Sequence, residues 1–397
     1  MEFTDIEPSK SRSTKKTKKI LVINQVAGEG STHLRSGMIQ YIRERSGLQI
    51  DFRRDDEAAR LVEIFPFTDY DGIISEVFNR EIALKLKDKG LPIVDLSGEM
   101  IDDPGFISAD FDLVKIAELA AERFIERGFA NFAYYGLVGN QVSKDLLSAF
   151  TARLAKEGLK CSGFLFDRKD RKRYEESYCR FYEWLSSLPR KTAVLCLSDW
   201  FATDILNRSL AIGKAVPDDI AIIGIGNDVT KCTSTTIPIS SIDPNRPALG
   251  YAAMRIMESA ITHPVMPKQR PVFRVPPLGI VERESTAIYP VNPPWLAKVL
   301  SLLDTNTGQP PSVEDLAKAA GVSQPTLQSA IQDAFGMSAA KYITTSKMRK
   351  AEMLVSEGKL SVKEIAFKLG FSSPSYFSRV FREFYGRTPR GDHPPAK

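Results

Sequence analysis

The chain has 397 residues, 43% of them hydrophobic and 26% charged, with a formal net charge of +5. That length predicts two or three domains with sizeable cores, and the composition is that of an ordinary water-soluble protein, not of a disordered or fibrous chain. No apolar run approaches the ~20 residues that cross a bilayer, so no membrane partner is expected.

The segment Met1–Lys19 is polar and Lys-rich and lacks the apolar stretch of a secretory signal. Cys161, Cys179, Cys196 and Cys232 are scattered, with no CxxC pair, and read as free thiols in a reducing cytoplasm. His33, His263 and His393 lie far apart. They suggest no metal site, and no other cofactor is expected. The charge is unevenly placed. Residues 290–397 carry 14 Lys and Arg against 9 Asp and Glu, whereas the residues before them balance at 40 and 40. Contact with phosphates requires a local excess of cations of this kind.

Residues 1–18 read as a disordered tail. From Lys19 to about Ser285, short β-rich runs alternate with helical stretches. The strand candidates are Ile20–Asn24, Gln49–Arg53, Gly72–Ser75, Ile93–Leu96, Phe132–Gly136, Ser162–Phe166, Ala193–Leu197 and Ile220–Ile225. Leu113–Arg127 and Lys144–Glu157 are amphipathic helices between them. Alternation of this length predicts an α/β domain built on doubly wound parallel sheets, which take ligands outside the carboxyl ends of their strands. Gly28-Glu29-Gly30 follows a strand, but His33 stands where a dinucleotide loop needs its third Gly. The chain has no GxxxxGK[ST], HExxH or GxSxG. The acid pairs Asp55-Asp56 and Glu175-Glu176 read as solvated faces. No catalytic residue is assigned, and the protein is not expected to be an enzyme.

Tyr289-Pro290-Val291-Asn292-Pro293-Pro294 breaks the pattern, and residues 286–294 read as a linker. Residues 295–390 are helical throughout and predict an all-α domain, with 391–397 a frayed tail. This domain contains a repeat. Ser312-Val313-Glu314-Asp315-Leu316-Ala317 matches Ser361-Val362-Lys363-Glu364-Ile365-Ala366, and Gly321 matches Gly370. Each copy opens with a Ser followed three residues later by an acid, turns at a Gly, and restarts a helix with a Pro (Pro325 or Pro374) in its first turn. These are two helix-turn-helix units, at about 312–335 and 361–385. A helix over Ala339–Val355 joins them. At ~1.5 Å per residue it forms a rod of roughly 25 Å, long enough to set two recognition helices about one DNA turn, ~34 Å, apart.

Phe371, Phe377, Phe381 and Phe384 read as the core side of the second recognition helix. Pro374, Ser375, Tyr376, Arg379 and Arg382 remain outside. Ser375, Tyr376 and Arg379 are the candidates for base edges, with Arg379 suited to a guanine O6/N7 edge, while Arg382 and Arg387 suit phosphates. In the first unit Gln324, Pro325, Thr326, Gln328 and Ser329 occupy the exposed positions, and Gln328 suits an adenine edge.

Ile365-Ala366, Gly370-Phe371, Tyr376-Phe377, Phe381-Arg382, Gly386 and Thr388-Pro389, together with Leu316-Ala317, Ala320-Gly321-Val322-Ser323 and Leu327, resemble the AraC/XylS family of transcription activators. Three positions depart from it: Ser329 and Lys347 stand where that family has Arg, and Gly391-Asp392 replaces an aromatic-Arg pair. Farther upstream, Val216-Pro217-Asp218-Asp219-Ile220 through Asn227-Asp228 resembles the LacI/periplasmic sugar-binding fold. So do Asp112 heading a helix, Gly128 before a strand, Ser198-Asp199 ending one, and Gly250 with Ala252-Ala253. The likeness spans residues 19–285 and implies two lobes that close on a sugar.

Carboxylates, amides and an aromatic face suit sugar hydroxyls and C–H groups. Asp112, Asp199, Trp200, Asn227 and Asp228 are therefore the effector candidates. Gly226 departs from the Asp usual at its position. The two resemblances together imply a cytoplasmic regulator of double-stranded operator DNA. They also imply a sugar effector with xylose one candidate, a homodimer with one module per half-site, and RNA polymerase as partner if it activates. Two alternatives stand beside this reading: a ligand-independent architectural DNA binder, and a regulator answering a non-sugar small molecule.

Overall fold

The structure is a computed structural model and describes residues 17–24, 29–45, 47–54, 57–64, 66–263, 272–289, 291–305, 311–357 and 360–389. The expected tail at 391–397 and nearly all of the one at 1–18 lie outside the described residues, as do Gly28, Asp55-Asp56 and Pro290. The chain forms two compact units, one of residues 1–110 and 246–273, the other of 111–245 and 274–397.

The first unit is built on a six-stranded sheet in the order β11-β5-β4-β3-β1-β2. Its strands are β1 (Lys18–Asn24), β2 (Leu48–Arg54), β3 (Gly72–Ser75), β4 (Ile93–Asp95), β5 (Ile107–Phe111) and β11 (Phe273–Val275). The pairs β1–β2, β1–β3, β3–β4 and β4–β5 are all parallel. The helices α1 (Glu29–Glu44), α2 (Ala58–Ile64), α3 (Arg80–Lys87) and α9 (Arg246–Thr262) belong to the same unit. A parallel sheet covered on both faces demands near-continuous apolar strands. Ile20, Leu21, Val22 and Ile23 of β1 meet that demand with no exposure at all.

The second unit repeats the plan in the order β12-β10-β9-β8-β6-β7. It comprises β6 (Asn131–Leu137), β7 (Cys161–Phe166), β8 (Thr192–Cys196), β9 (Ile220–Ile225), β10 (Ser240–Asp243) and β12 (Gly279–Val281). Only the β10–β12 pair is antiparallel among those recorded for it. The helices α4 (Leu113–Glu126), α5 (Gln141–Ala155), α6 (Arg171–Ser187), α7 (Asp199–Ala211) and α8 (Val229–Thr233) accompany this sheet. Two apolar clusters hold it. One centres on Ile116, Phe124, Phe132, Phe150 and Ile223, the other on Tyr135, Phe181, Ile205 and Ile222.

All eight strands read from the sequence are present, Gly72–Ser75 and Ile220–Ile225 with the same ends and the others with ends shifted by at most two residues. β5, β10, β11 and β12 are additional. β10 escaped notice because its buried residues include serines rather than an apolar run. Ser240 Oγ donates to the Arg283 carbonyl and Ser241 Oγ to Asp199, so these hydroxyls are satisfied inside the sheet.

The helical region belongs to the second unit. It comprises α10 (Pro294–Thr305), α11 (Val313–Ala320), α12 (Gln324–Phe335), α13 (Ala339–Glu357), α14 (Val362–Lys368) and α15 (Pro374–Tyr385). Its core is double. Leu296, Val299, Leu316, Leu327 and Ile331 surround Ala339, Tyr342 and Ile343 of α13. Ile365, Ala366, Leu369, Phe371, Phe377 and Phe381 surround Met348 and Ala351 of the same helix. Within the segment expected as a linker, Thr286 is buried and hydrogen-bonded to Ser240, and Tyr289 is buried in the first of these cores.

Candidate nucleic-acid interface and effector site

Both helix-turn-helix units are punctuated by the same hydrogen bonds. In the first, the Asp315 N–H donates to Ser312 Oγ at 3.1 Å while the Ser312 N–H donates to Asp315 Oδ2 at 3.0 Å. In the second, the Glu364 N–H donates to Ser361 Oγ at 3.2 Å while the Ser361 N–H donates to Glu364 Oε2 at 2.7 Å. These reciprocal caps fix where α11 and α14 begin, and they pull the Asp315 and Glu364 carboxyls below the ordinary carboxylate range. Gly321 (φ +68°) and Gly370 (φ +72°) then reverse the chain in the left-handed region, where a Cβ would be strained. Ser323 and Ser373 cap α12 and α15 through the amides of Thr326 and Tyr376, with Pro325 and Pro374 in the first turns.

The second helix of each unit buries one stripe and exposes the rest. Leu327, Ala330 and Ile331 point inward from α12, while Gln324, Pro325, Thr326, Gln328 and Ser329 are exposed. Phe377 and Phe381 point inward from α15, while Ser375, Tyr376, Arg379 and Arg382 are exposed and Pro374 is half-buried. The Arg379 guanidinium lies 5.2 Å from the Tyr376 ring centre and 4.0 Å from Glu383, so Tyr376 and Arg379 form one exposed group in the first half of α15.

One residue, Phe384, stands differently from the sequence expectation, and Arg387 has a partner the sequence did not indicate. Phe384 is 44% exposed rather than in the core, because Tyr385, four residues beyond Phe381 and 4.8 Å from its ring, continues the buried stripe instead. Arg387, assigned to phosphates, is ion-paired to Glu352 of α13, with its guanidinium 5.4 Å from the Phe381 ring.

The effector candidates all belong to the second unit, and most are engaged within it. Asp112 caps α4 through the Lys115 amide. Asp228 caps α8 through the Lys231 amide at 3.1 Å and pairs with the Lys231 ammonium. Asn227 adopts φ +50°, donates from Nδ2 to Asp243 at 3.2 Å and accepts from Arg283 at 2.8 Å. Asp199 is 2% exposed; its Oδ2 accepts the Asp228 N–H at 2.8 Å and its Oδ1 accepts Ser241 Oγ at 2.5 Å. Burial pushes its carboxyl above the ordinary carboxylate range, and the hydrogen bonds from Ser241 and the Asp228 amide pull the other way. All four side chains are thus hydrogen-bonded within this unit. Trp200 differs: it is 52% exposed at the head of α7, its ring edge-on to Phe201 at 5.1 Å. Val138 after β6 and Val229 after β9 are exposed at the same carboxyl edge of the sheet.

Sequence reasoning overlooked the carboxyl edge of the first sheet. Ser75 and Asp95 end neighbouring parallel strands in register, and both are fully buried. Ser75 Oγ has no hydrogen-bond partner among the described residues. The Asp95 carboxylate accepts from the Ser97 hydroxyl and amide, and burial raises its pKa. Glu76, directly after β3, pairs with Arg246 at 3.2 Å. The signal was available: Ser75 and Asp95 are each the first polar residue closing an apolar strand.

A family profile described as "Periplasmic binding protein-like domain" matches residues 121–286, and one described as "Helix-turn-helix domain" matches residues 316–391. The xylose operon regulatory protein of Escherichia coli (strain K12) is 26% identical over 365 residues, covering 89% of this chain and 91% of that protein. The protein of the same name from Haemophilus influenzae is 22% identical over 360 residues, covering 89% and 92%. Among solved structures, a xylose-binding transcription activator superposes with a TM-score of 0.60 at 23% identity, covering 95% of this chain and 97% of that one. A transcriptional regulator in complex with cellobiose superposes with a TM-score of 0.56 at 18% identity, covering 68% and 85%. The order of parts, the doubled capping boxes and these likenesses agree: the chain joins a periplasmic binding protein-like domain to a helix-turn-helix domain and is similar over most of its length to the xylose operon regulatory proteins.

Proposed function

We propose that the protein is a sugar-responsive, sequence-specific DNA-binding transcription regulator, acting in the cytoplasm on an operator with paired half-sites. The observation that carries the DNA half is the exposed Tyr376–Arg379–Arg382 face of α15, held by a doubly capped turn and preceded by a second unit with the same punctuation. The sugar half rests on the two-sheet fold and on Trp200, an exposed aromatic at a strand's carboxyl edge. Among sugars the likeness to the xylose regulators favours a pentose, xylose first. A homodimer, and activation through RNA polymerase, belong to the same reading by analogy with the AraC/XylS activators.

One observation favours a second reading, a non-sugar effector. Gly226 carries no side chain where the sugar-binding relatives place an Asp, and Asp199, Asn227 and Asp228 are already hydrogen-bonded within the lobe. A thermal-shift panel of pentoses, hexoses and sugar acids on the full-length protein decides between them. Stabilisation by a pentose supports the first reading, and no response to any sugar overturns it. Selection of bound duplexes from a random library tests the DNA half independently. Recovery of no common sequence would favour an architectural binder.

A further inference from the structure

The carboxyl-terminal end of α4, on the sheet side of the second unit, carries a residue that its own helix does not want. Glu126 is the last residue of α4, where the helix dipole disfavours negative charge. Its carboxylate is instead matched from another element: Arg349 of α13 approaches Glu126 Oε2 at 2.9 Å, each side chain about one-fifth exposed. The N–H direction is off a hydrogen bond's, but at that separation the Coulomb attraction does not depend on it. The Tyr342 hydroxyl, one helical face earlier on α13, donates to the Glu126 carbonyl at 3.3 Å. The neighbouring Arg127 lies 4.8 Å from the ring of Tyr289, itself part of the first helix-turn-helix core.

Further charged pairs surround this point. Arg123 of α4 and Arg127, just past its end, both pair with Glu282. Beyond Arg349 comes Glu352, one turn along α13, and Glu352 holds Arg387 just past the end of α15. The Tyr385 phenol, on the last turn of α15, has its pKa raised by burial and next by Glu352, with Glu126 adding to it and Arg349 and Arg387 opposing. Two ion pairs, Glu126–Arg349 and Glu352–Arg387, thus flank one turn of the connecting helix, the first reaching the sensor lobe and the second the residue just past the second recognition helix.

The helix that carries Glu126 is tied to the crossover. α4 begins at Asp112, two residues after the boundary between the two units, and the Asp112 amide donates to Val275 on β11. A 14-residue helix of about 21 Å is stiff on this scale.

We infer that Glu126 and Arg349 form a latch that fixes the second helix-turn-helix unit in one orientation on the sensor lobe, so that movement of α4 sets the spacing of half-sites the protein accepts. The spacing consequence rests on the function proposed above, but the latch itself does not. Its test therefore uses neither DNA nor sugar. Spin labels are placed in the full-length protein at Lys144→Cys on α5 and Lys363→Cys on α14, both exposed, in a Cys179→Ser background. Burial raises the Cys161 thiol to about 12, which protects it from labelling, and Cys196 and Cys232 are buried.

The unaltered latch should give a single narrow distance distribution. Glu126→Gln and Arg349→Gln should each broaden it, and the swap Glu126→Arg with Arg349→Glu should narrow it again. A distribution unchanged in both single variants overturns the latch. So does a swap that stays broad while its circular dichroism shows a folded protein. With duplexes recovered by selection, wild type should lose binding when the half-sites are moved apart by half a helical turn, and Glu126→Gln should tolerate the change. Equal spacing profiles would overturn the coupling.

Discussion

Asp199 Oδ2 lies 2.9 Å from the point where a Cβ at Gly226 would sit. Gly226 also holds φ +133°, a conformation open to glycine and strained for other residues. The carboxylate at 199 therefore fills the space that a side chain at 226 would enter. Glycine at 226 and the burial of the Asp199 carboxylate are a single arrangement.

Gly226→Asp should accordingly not restore a sugar contact. It should destabilise the protein by roughly 1–3 kcal/mol through backbone strain, with like-charge repulsion from Asp199 added. Urea unfolding followed by circular dichroism reads this. A variant as stable as wild type would show that Asp199 can move aside.

Asp199 also predicts a pH dependence. Its folded-state pKa is raised above the unfolded value, so its contribution to stability is fully present below the unfolded pKa and is lost as pH rises through the folded one. The stability of wild type relative to Asp199→Asn should fall as pH rises from about 4 towards neutrality. Parallel unfolding curves for the two proteins across that range would contradict the assignment.

Trp200→Ala should abolish the thermal shift produced by any sugar found to bind, while changing stability by less than about 0.5 kcal/mol, because the ring is half exposed. Titration calorimetry with that sugar checks it. Undiminished affinity would place the effector elsewhere.

On the DNA side, Arg379→Ala should weaken operator binding by about 1–3 kcal/mol and relax preference at one base pair. Arg382→Ala should weaken binding evenly across sequences and lower its salt dependence, the mark of a phosphate contact. Competition binding against single-base operator variants separates the two. Identical specificity profiles for wild type and Arg379→Ala would remove Arg379 from base reading.

Ser361→Ala removes one half of a capping box and should cost about 1 kcal/mol in the unfolding of the helical region. Ser361→Gly should cost only a few tenths. Thermal unfolding of the two variants side by side tests the cap rather than the side-chain volume.

What could be read from the sequence follows the range of the forces involved. Capping boxes, turn glycines and apolar strands act over a few residues, so Ser312 with Asp315, Gly370 and the run Ile220–Ile225 announced their structures directly. The effector site was less legible for the same reason. Asp112 and Asp228 look like ligand groups at strand ends, but their hydrogen bonds go to local amides three residues on. Asp199 is claimed by Ser241 and Asp228 across two loops. Arg387 has the composition of a phosphate contact, and only the approach of Glu352 on α13 shows its other engagement. Nothing local signals a pair such as Glu126 and Arg349, which lie more than two hundred positions apart.

The long helix α13 lends Ala339, Tyr342 and Ile343 to one apolar cluster and Met348 and Ala351 to the next. Neither cluster closes without it. Opening of that one helix therefore dismantles both readers together, and in hydrogen exchange the amides of α12 and α15 should open with a common free energy, as a single cooperative foldon. Such a pair fails as a unit.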